Sequence, residues 1–402
     1  DRQGEPLTPL ISWQDQRTSE ATLTADQPGR AESGAGTSLE RLADRLRDLD
    51  WRENGCRIAH GYGAATLFWL AERAQVPSRT RWVCSAANWL SSRLTGRPPV
   101  MDPTHAASWG VYHLRDSAWN SAFLERLDLD PRLFPPLRPP GERVGDLVPG
   151  VAHQTGLPAG LPVFNALGDT QAAFLGAAAS LTGKEGGHTL EQVLLLNLGT
   201  GGQICWAVPA FEHPSAQVET RPLALHRFLR VGASLCGGAA YAWLNRTVRD
   251  CLREFSVDAG EEAVYERLNA LARASEEMSG LKVRTTFLGA RGDPVQQAAQ
   301  SSSGGAIEGI TLDNLQLGRL ARATLAGMVD ELHDLYQSGS GGSGLGGSVG
   351  PRYVMATGGA VHRNSLLPRL IEERVGLPVH QPAQREVAAM GAAWLAADAI
   401  GS

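Results

Sequence analysis

At 402 residues the chain is too long for one ordinary core and has the size of two lobes with a cleft between them. Its formal net charge is −5, with no Lys/Arg cluster or basic-aromatic stripe, which argues against a nucleic-acid surface and leaves small neutral or anionic ligands open. Five scattered cysteines (Cys56, Cys84, Cys205, Cys236, Cys251) form no C-x-x-C pair, so neither a disulfide framework nor a zinc site is expected, and a reducing cytoplasm fits best.

The opening DRQGEPLTPL lacks an apolar signal core, and no later run approaches the roughly 20 apolar residues of a membrane span. This charged, Pro-broken stretch enters ISWQDQR without an initial strand-loop-helix unit, as the middle of a domain would. Residues 37–50 read as a helix, with a capping box from Thr37 and Glu40 and with Leu39, Leu42, Leu46 and Leu49 on one face. Residues 64–75 and 81–94 are further helical candidates, and a Pro-rich, irregular passage is expected over 131–150.

An apolar strand at 162–167 breaks at Gly168-Asp169 before an Ala-rich helix starting near Gln171. Residues 192–208 read as a β-hairpin around Gly199-Thr200-Gly201-Gly202. A double glycine, Gly237-Gly238, then precedes a helix, and residues 313–337 carry a long amphipathic pattern with Asp313 as its expected N-cap. The Gly/Ser-rich segment 338–350 has the composition of a flexible loop or linker. The chain closes with strand RYVMATGGAV, a helix over 364–375, a short strand at 378–380 and a helix over 386–399.

Three places could hold chemistry. Asp169 stands between a strand end and a helix start, where a carboxylate can orient a hydroxyl and accept its proton, or can simply cap the helix. At Gly199-Thr200-Gly201 the missing side chains let backbone N–H groups approach phosphate oxygens, though a tight hairpin turn needs no ligand. Gly358-Gly359 follows an apolar strand, with Asn364 opening a helix; this suits a nucleotide lying against bare backbone and equally suits a tight strand-to-helix turn. It is not the G-x-G-x-x-G dinucleotide pattern. His60, His105, His113, His188 and His362 show no helical i, i+3 or i, i+4 pairing of metal ligands.

Taken together and in order, TPLISWQDQR, MDPTHAASWGVY, ALGDTQAAFLGA, LLLNLGTGGQI, VGASLCGGAAYAWL, MATGGAVHRNSLL and EVAAMGAAWLA resemble the successive blocks of the FGGY carbohydrate kinases along nearly the whole chain. Within that family, ISWQDQR, GYGAATLFWL and HAASWG are most similar to the sedoheptulose-phosphorylating branch. The resemblance implies the actin-like, ribonuclease-H-like α/β ATPase fold, with two domains closing on ATP and a sugar. The expected divisions are 1–178 and 179–402.

By this resemblance Asp169 is the base that deprotonates the terminal hydroxyl of a ketose for attack on the γ-phosphate of ATP. Magnesium would be carried with the nucleotide near Asp169. Thr200 and Gly201 match a phosphate-binding turn, and Gly238, Gly359 and Asn364 match positions lining the nucleotide. Trp13 matches a tryptophan that packs on the sugar, and Asp15 and Arg17 complete its W-x-D-x-R block; a core aromatic and a structural ion pair are the plainer alternatives for these residues. Nucleic acid and membrane are not expected as partners, and oligomeric state is not legible.

Two departures stand out. The family's opening D-x-G-T-T/S phosphate turn does not occur before Trp13, so the chain reads as truncated, with slow turnover or a non-catalytic role as the consequence. In FLGARGDP the family's usual Glu is replaced by Ala290. Xylulose, ribulose and glycerol are the alternative substrates.

Overall fold

The computed structural model describes residues 1–20, 36–182, 189–275, 280–289, 304–340 and 350–401. The first half is built from α1 (Ser38–Arg45), α2 (Gly63–Glu72), α3 (Ala86–Thr95), α4 (Pro103–Ala107), β1 (Tyr112–His113), β2 (Ala118–Trp119), α5 (Ser121–Arg126), β3 (Arg143–Asp146), α6 (Pro149–Thr155), β4 (Pro162–Phe164) and α7 (Asp169–Thr182). The second half holds β5 (Val193–Leu198), β6 (Gly202–Val208), β7 (Val218–Leu223), β8 (Arg227–Ser234), α8 (Gly237–Glu254), α9 (Glu261–Ala274), β9 (Lys282–Arg284), β10 (Ala306–Glu308), α10 (Leu317–Gly339), β11 (Tyr353–Thr357), α11 (Gly359–Arg363), α12 (Leu366–Val375), β12 (Val379–His380) and α13 (Val387–Gly401).

A six-stranded sheet, ordered β12-β11-β5-β6-β8-β7, forms the centre of the second half. β5, β11 and β12 run parallel, while β6 and β8 are antiparallel to their neighbours. The apolar run LLLNL reads without alternation because both faces of this sheet are covered. Leu194, Leu196, Ile204, Trp206, Val354 and Ala356 point into a core shared with α8, α9, α10 and α12. Their neighbours Leu195, Cys205, Ala207 and Met355 point the other way, onto Phe174, Leu175 and Leu181 of α7 and Val387 and Leu395 of α13. Helix α7, which the sequence assigns to the end of the first domain, therefore supplies core to the sheet of the second.

Among the described residues, the first half contains only two-stranded ribbons, β1–β2 and β3–β4. Its core is formed by α1, α2, α4, α5 and aromatic residues that include Tyr112, Phe123 and Phe134. The Thr37–Glu40 capping box is present, with Leu39, Leu42 and Leu46 buried beneath it. The first half covers the outer edge of the sheet, as an unpaired strand requires. Thr220 of β7 donates its N–H to the Gly55 carbonyl at 2.9 Å, and Gln171 Nε2 donates to the Pro222 carbonyl at 3.1 Å.

Several sequence boundaries move, each for a tertiary reason. The helix expected over 81–94 begins at Ala86, because Val83 N–H pairs with the Leu133 carbonyl at 2.9 Å and Ser85 caps the helix by accepting the Asn88 N–H. The irregular passage 131–150 contains β3, which finds its partner in β4. Asp313 is not the N-cap of α10: Asn314 Oδ1 accepts the Thr311 N–H at 2.8 Å, holding those residues in a turn, and the helix starts at Leu317. The helix expected from 364 begins at Leu366, preceded by the short α11. Ala290 and most of the Gly/Ser segment, 341–349, lie outside the described residues.

Candidate active site

β5 and β11 run parallel with Thr357 opposite Asn197, so their carboxyl ends lie side by side. This is where open α/β sheets receive ligands. The turn Gly199-Thr200-Gly201 leaves β5, and the first amides of α8 close on it. Gly238 N–H donates to the Gly199 carbonyl at 2.8 Å, and Ala239 N–H donates to the Thr200 carbonyl at 3.0 Å. A Cβ at Gly237 would lie 2.4 Å from the Gly201 carbonyl oxygen, and one at Gly238 would lie 2.6 Å from that of Gly199. The double glycine is thus demanded by backbone meeting backbone.

β11 delivers a third glycine segment to the same place. Gly358 has φ +96°, and a Cβ there would stand 2.4 Å from the Leu198 carbonyl oxygen. Gly359 is different: it is exposed, and its Cβ would meet nothing nearer than Arg363 Nη2 at 4.0 Å. The cradle therefore has a packed floor of Gly237, Gly238 and Gly358. Its open face offers the exposed Thr200 hydroxyl and the bare backbone of Gly359.

Asn364 is brought to this end of the sheet, but its side chain is engaged. Its Nδ2 donates to Asn269 Oδ1 at 2.8 Å, and its Oδ1 accepts the Leu366 N–H at 3.0 Å. Tyr241 shares the same Asn269 oxygen. Asn364 ties α9 to the start of α12 and acts on the cradle as a brace.

Asp169 opens α7, after the four residues 165–168 that follow β4. Its Oδ1 accepts the N–H of the next residue, Thr170, at 2.6 Å, and the residue remains exposed. An acid in the first turn also complements the helix dipole. The turn beneath it is buried and tightly held. Gly168 N–H donates to Thr104 Oγ1 at 2.7 Å, and that hydroxyl donates to Asp102 Oδ1. Asp102, with no exposure, also accepts from His105 N–H at 3.0 Å, His105 Nδ1 at 2.7 Å and Asn88 Nδ2 at 3.1 Å.

Burial opposes charge on both members of the Asp102–His105 pair, yet their mutual hydrogen bond outweighs it. Asp102 is held below the usual carboxylate range with added help from Thr104, and His105 is held above its usual value, with the Asp169 carboxylate contributing. Neither residue stands out in the sequence as part of a site. The signal was present in Asp102-Pro103, an N-cap followed by proline at the first helical position.

Trp13 and Asp15 sit on the surface of the first half. The Trp13 ring is 76% exposed, and its carbonyl lies against Gly61, where φ is +77° and a Cβ would come within 1.7 Å of that oxygen. Asp15 pairs with Arg17 through Nε at 2.8 Å and Nη2 at 2.9 Å, which holds its carboxyl below the ordinary range. Arg17 in turn lies 5.1 Å over the Trp69 ring. A separate cavity of about 530 Å³, lined by Leu7, Leu67, Val83, Cys84, Trp89 and others, includes neither Asp169 nor the glycine cradle.

Two α/β halves, a glycine cradle at the ends of parallel strands and an exposed acid opening a buried helix define an actin-like, ribonuclease-H-like ATPase fold. The chain belongs to the FGGY family of carbohydrate kinases: the family's N-terminal domain matches residues 1–176 and its C-terminal domain residues 197–400. It is 29% identical to a glycerol kinase of Thermus brockianus over 403 residues, covering 97% of this chain and 71% of that one. It is 27% identical to a sedoheptulokinase of Mus musculus over 383 residues, covering 92% and 69%. Among solved structures, a xylulose kinase from Rhodospirillum rubrum superposes with a TM-score of 0.74 at 24% identity, covering 90% of this chain and 69% of that one. Members of this family use ATP as co-substrate. Among the described residues, no helix is long and apolar enough to cross a membrane.

Proposed function

We propose that the chain transfers the γ-phosphoryl group of ATP to the terminal hydroxyl of a ketose, with sedoheptulose as substrate and its 7-phosphate as product. The observation that carries this reading is the exposed carboxylate of Asp169, fixed on a buried turn at the head of α7. Asp169 would accept the hydroxyl proton while Thr200 and Gly201 receive the phosphates, and Gly359 leaves room for the nucleotide. In phosphoryl transfer the protein mainly positions the partners and stabilises charge, so one aimed acid suffices as base.

Magnesium fits this donor set as a passenger on the nucleotide. The ion keeps several waters and takes one or two carboxylates together with phosphate oxygens. Among the described residues no group of three His, Cys, Asp or Glu side chains forms a cage for it. When bound it would neutralise developing phosphate charge.

The sugar assignment rests on the similarity of ISWQDQR, GYGAATLFWL and HAASWG to the sedoheptulokinase branch. Glycerol is the second reading, supported by the similarity to the Thermus glycerol kinase. The test is ATP-dependent phosphorylation of sedoheptulose, xylulose, ribulose and glycerol by the chain and its Asp169→Asn variant. Sedoheptulose phosphorylation that disappears in the variant is expected; equal turnover by both proteins would remove Asp169 as base.

A further inference from the structure

A buried charge needs a reason, because taking an ionised carboxylate out of water is costly unless every lone pair is used. Asp102 meets that demand with four donors drawn from two helices: Thr104 Oγ1, His105 N–H and His105 Nδ1 from α4, and Asn88 Nδ2 from α3. A carboxylate offers about four acceptor sites, so this one is saturated. Three of the donors are tied, directly or through their helix, to the peptide that carries Asp169.

Thr104 Oγ1 donates to Asp102 and accepts the N–H of Gly168, the residue immediately before Asp169. Asn88 Nδ2 also approaches Asn165 Oδ1 at 3.3 Å, at the start of the same turn. Asn165 Nδ2 then donates to the Arg138 carbonyl at 2.8 Å. Every side chain in the set except His105 is less than 9% exposed: Asn88, Asp102, Thr104 and Asn165. His105 keeps a side-chain exposure of 20%. Its Nδ1 faces Asp102, so Nε2 is the ring nitrogen left for other contacts, and Asp169 is close enough to act on its charge.

We propose that His105, held through Nδ1 by Asp102, is a positioning residue for Asp169, with Thr104 as the link that passes the constraint to the Gly168–Asp169 peptide. This rests on Asp169 being the base. The device explains why the anchor is ionised: a neutral amide at 102 could accept only through its oxygen and would oppose its own N–H groups to donors. The histidine sits on the five-residue helix α4, which packs beside β7 and is bonded to the Asp169 turn through Thr104.

Three variants of the full chain test this. An asparagine side chain can place its amide where His105 Nδ1 stands, so His105→Asn keeps the bond to Asp102 while His105→Ala loses it. In the sugar kinase assay, His105→Ala and Thr104→Val should each lower kcat about tenfold or more with KM for ATP within twofold, and His105→Asn should recover most of the loss. If His105→Asn is as impaired as His105→Ala, the ring touches substrate through Nε2 and the positioning role is overturned; unchanged kcat in folded His105→Ala overturns it as well.

Hydrogen exchange read by mass spectrometry on the peptide spanning residues 166–171 gives a readout independent of turnover. Faster exchange by about tenfold in Thr104→Val and His105→Ala is expected, and unchanged protection in both overturns the proposal even where the chain phosphorylates nothing. Asp169→Asn separates the two readings. If that variant stays active while the exchange results hold, the assignment of Asp169 as base fails and the relay stands as a structural feature of the turn.

Discussion

Gly176 of α7 and Gly391 of α13 stand backbone against backbone where the two helices cross. A Cβ at 391 would lie 1.9 Å from the Ala172 carbonyl oxygen, and one at 176 would lie 2.0 Å from that of Val387. The two helices share one face of the six-stranded sheet. The helix bearing Asp169 is therefore seated on the second half by a contact that only two glycines permit.

Gly391→Ala should force this crossing apart. Overpacking of a close-packed site costs about 1–3 kcal/mol, and urea unfolding should show at least that loss of stability. Phosphorylation should slow as well, because α7 carries Asp169. A variant with unchanged stability would mean that the helices separate freely.

Gly358 and Gly359 should respond differently to alanine. Gly358→Ala meets a φ of +96° and a carbonyl at 2.4 Å, so a stability loss on the order of 2 kcal/mol or more is expected. Gly359→Ala enters open space in the first turn of α11, where alanine favours helix, and the fold should be as stable as before. If nucleotide lies against that backbone, its dissociation constant should rise about tenfold, equivalent to 1.4 kcal/mol. Calorimetric titration with ATP alongside thermal unfolding reads both effects, and unchanged affinity would detach the nucleotide from this turn.

The Asp102–His105 pair should leave a signature in stability against pH. His105 is raised above its ordinary value of 6.5, so its contribution is complete below that value and is lost as pH rises through the raised folded-state value. Asp102 is lowered from 3.8, so its contribution is present above that value and is lost as pH falls through the depressed one. The stability difference between the native chain and His105→Asn should therefore be largest below about pH 6.5 and shrink as pH rises through the raised His105 value. His60 and His333, both lowered by burial, act in the opposite direction, which is why the difference between the two proteins is the quantity to measure. A difference independent of pH would show that His105 does not carry the proton.

Trp13→Ala removes a ring that is 76% exposed, so stability should change by no more than about 0.5 kcal/mol. If the ring packs on sugar, KM for the ketose should rise several-fold while KM for ATP stays constant. Asp15→Asn breaks a pair whose side chains are 21% and 27% exposed, a loss of about 0–1 kcal/mol. A sugar KM that does not move in Asp15→Asn would confine that residue to its bond with Arg17.

The sequence by itself determined what depends on neighbours along the chain. The Thr37–Glu40 box, the β5–β6 hairpin with its glycine turn, the double glycine before α8 and the acid at the head of α7 all follow from spacing and side-chain chemistry over a few residues. Tertiary structure alone decided where those pieces meet. Asn364 matched a ligand-lining position in sequence, yet Asn269 of α9 occupies its amide. Asp15 matched a substrate block, yet its carboxyl is held by Arg17. Asp102 showed only a helix cap; its role as the buried anchor of the Asp169 turn depends on Asn88 and Gly168, the latter bonded to Thr104 across 64 residues of chain. Likewise, nothing near Gly176 announces Gly391. Local propensity is written in short windows, whereas the satisfaction of a buried charge and the distance between two helix axes are settled by groups that meet only after the chain has folded.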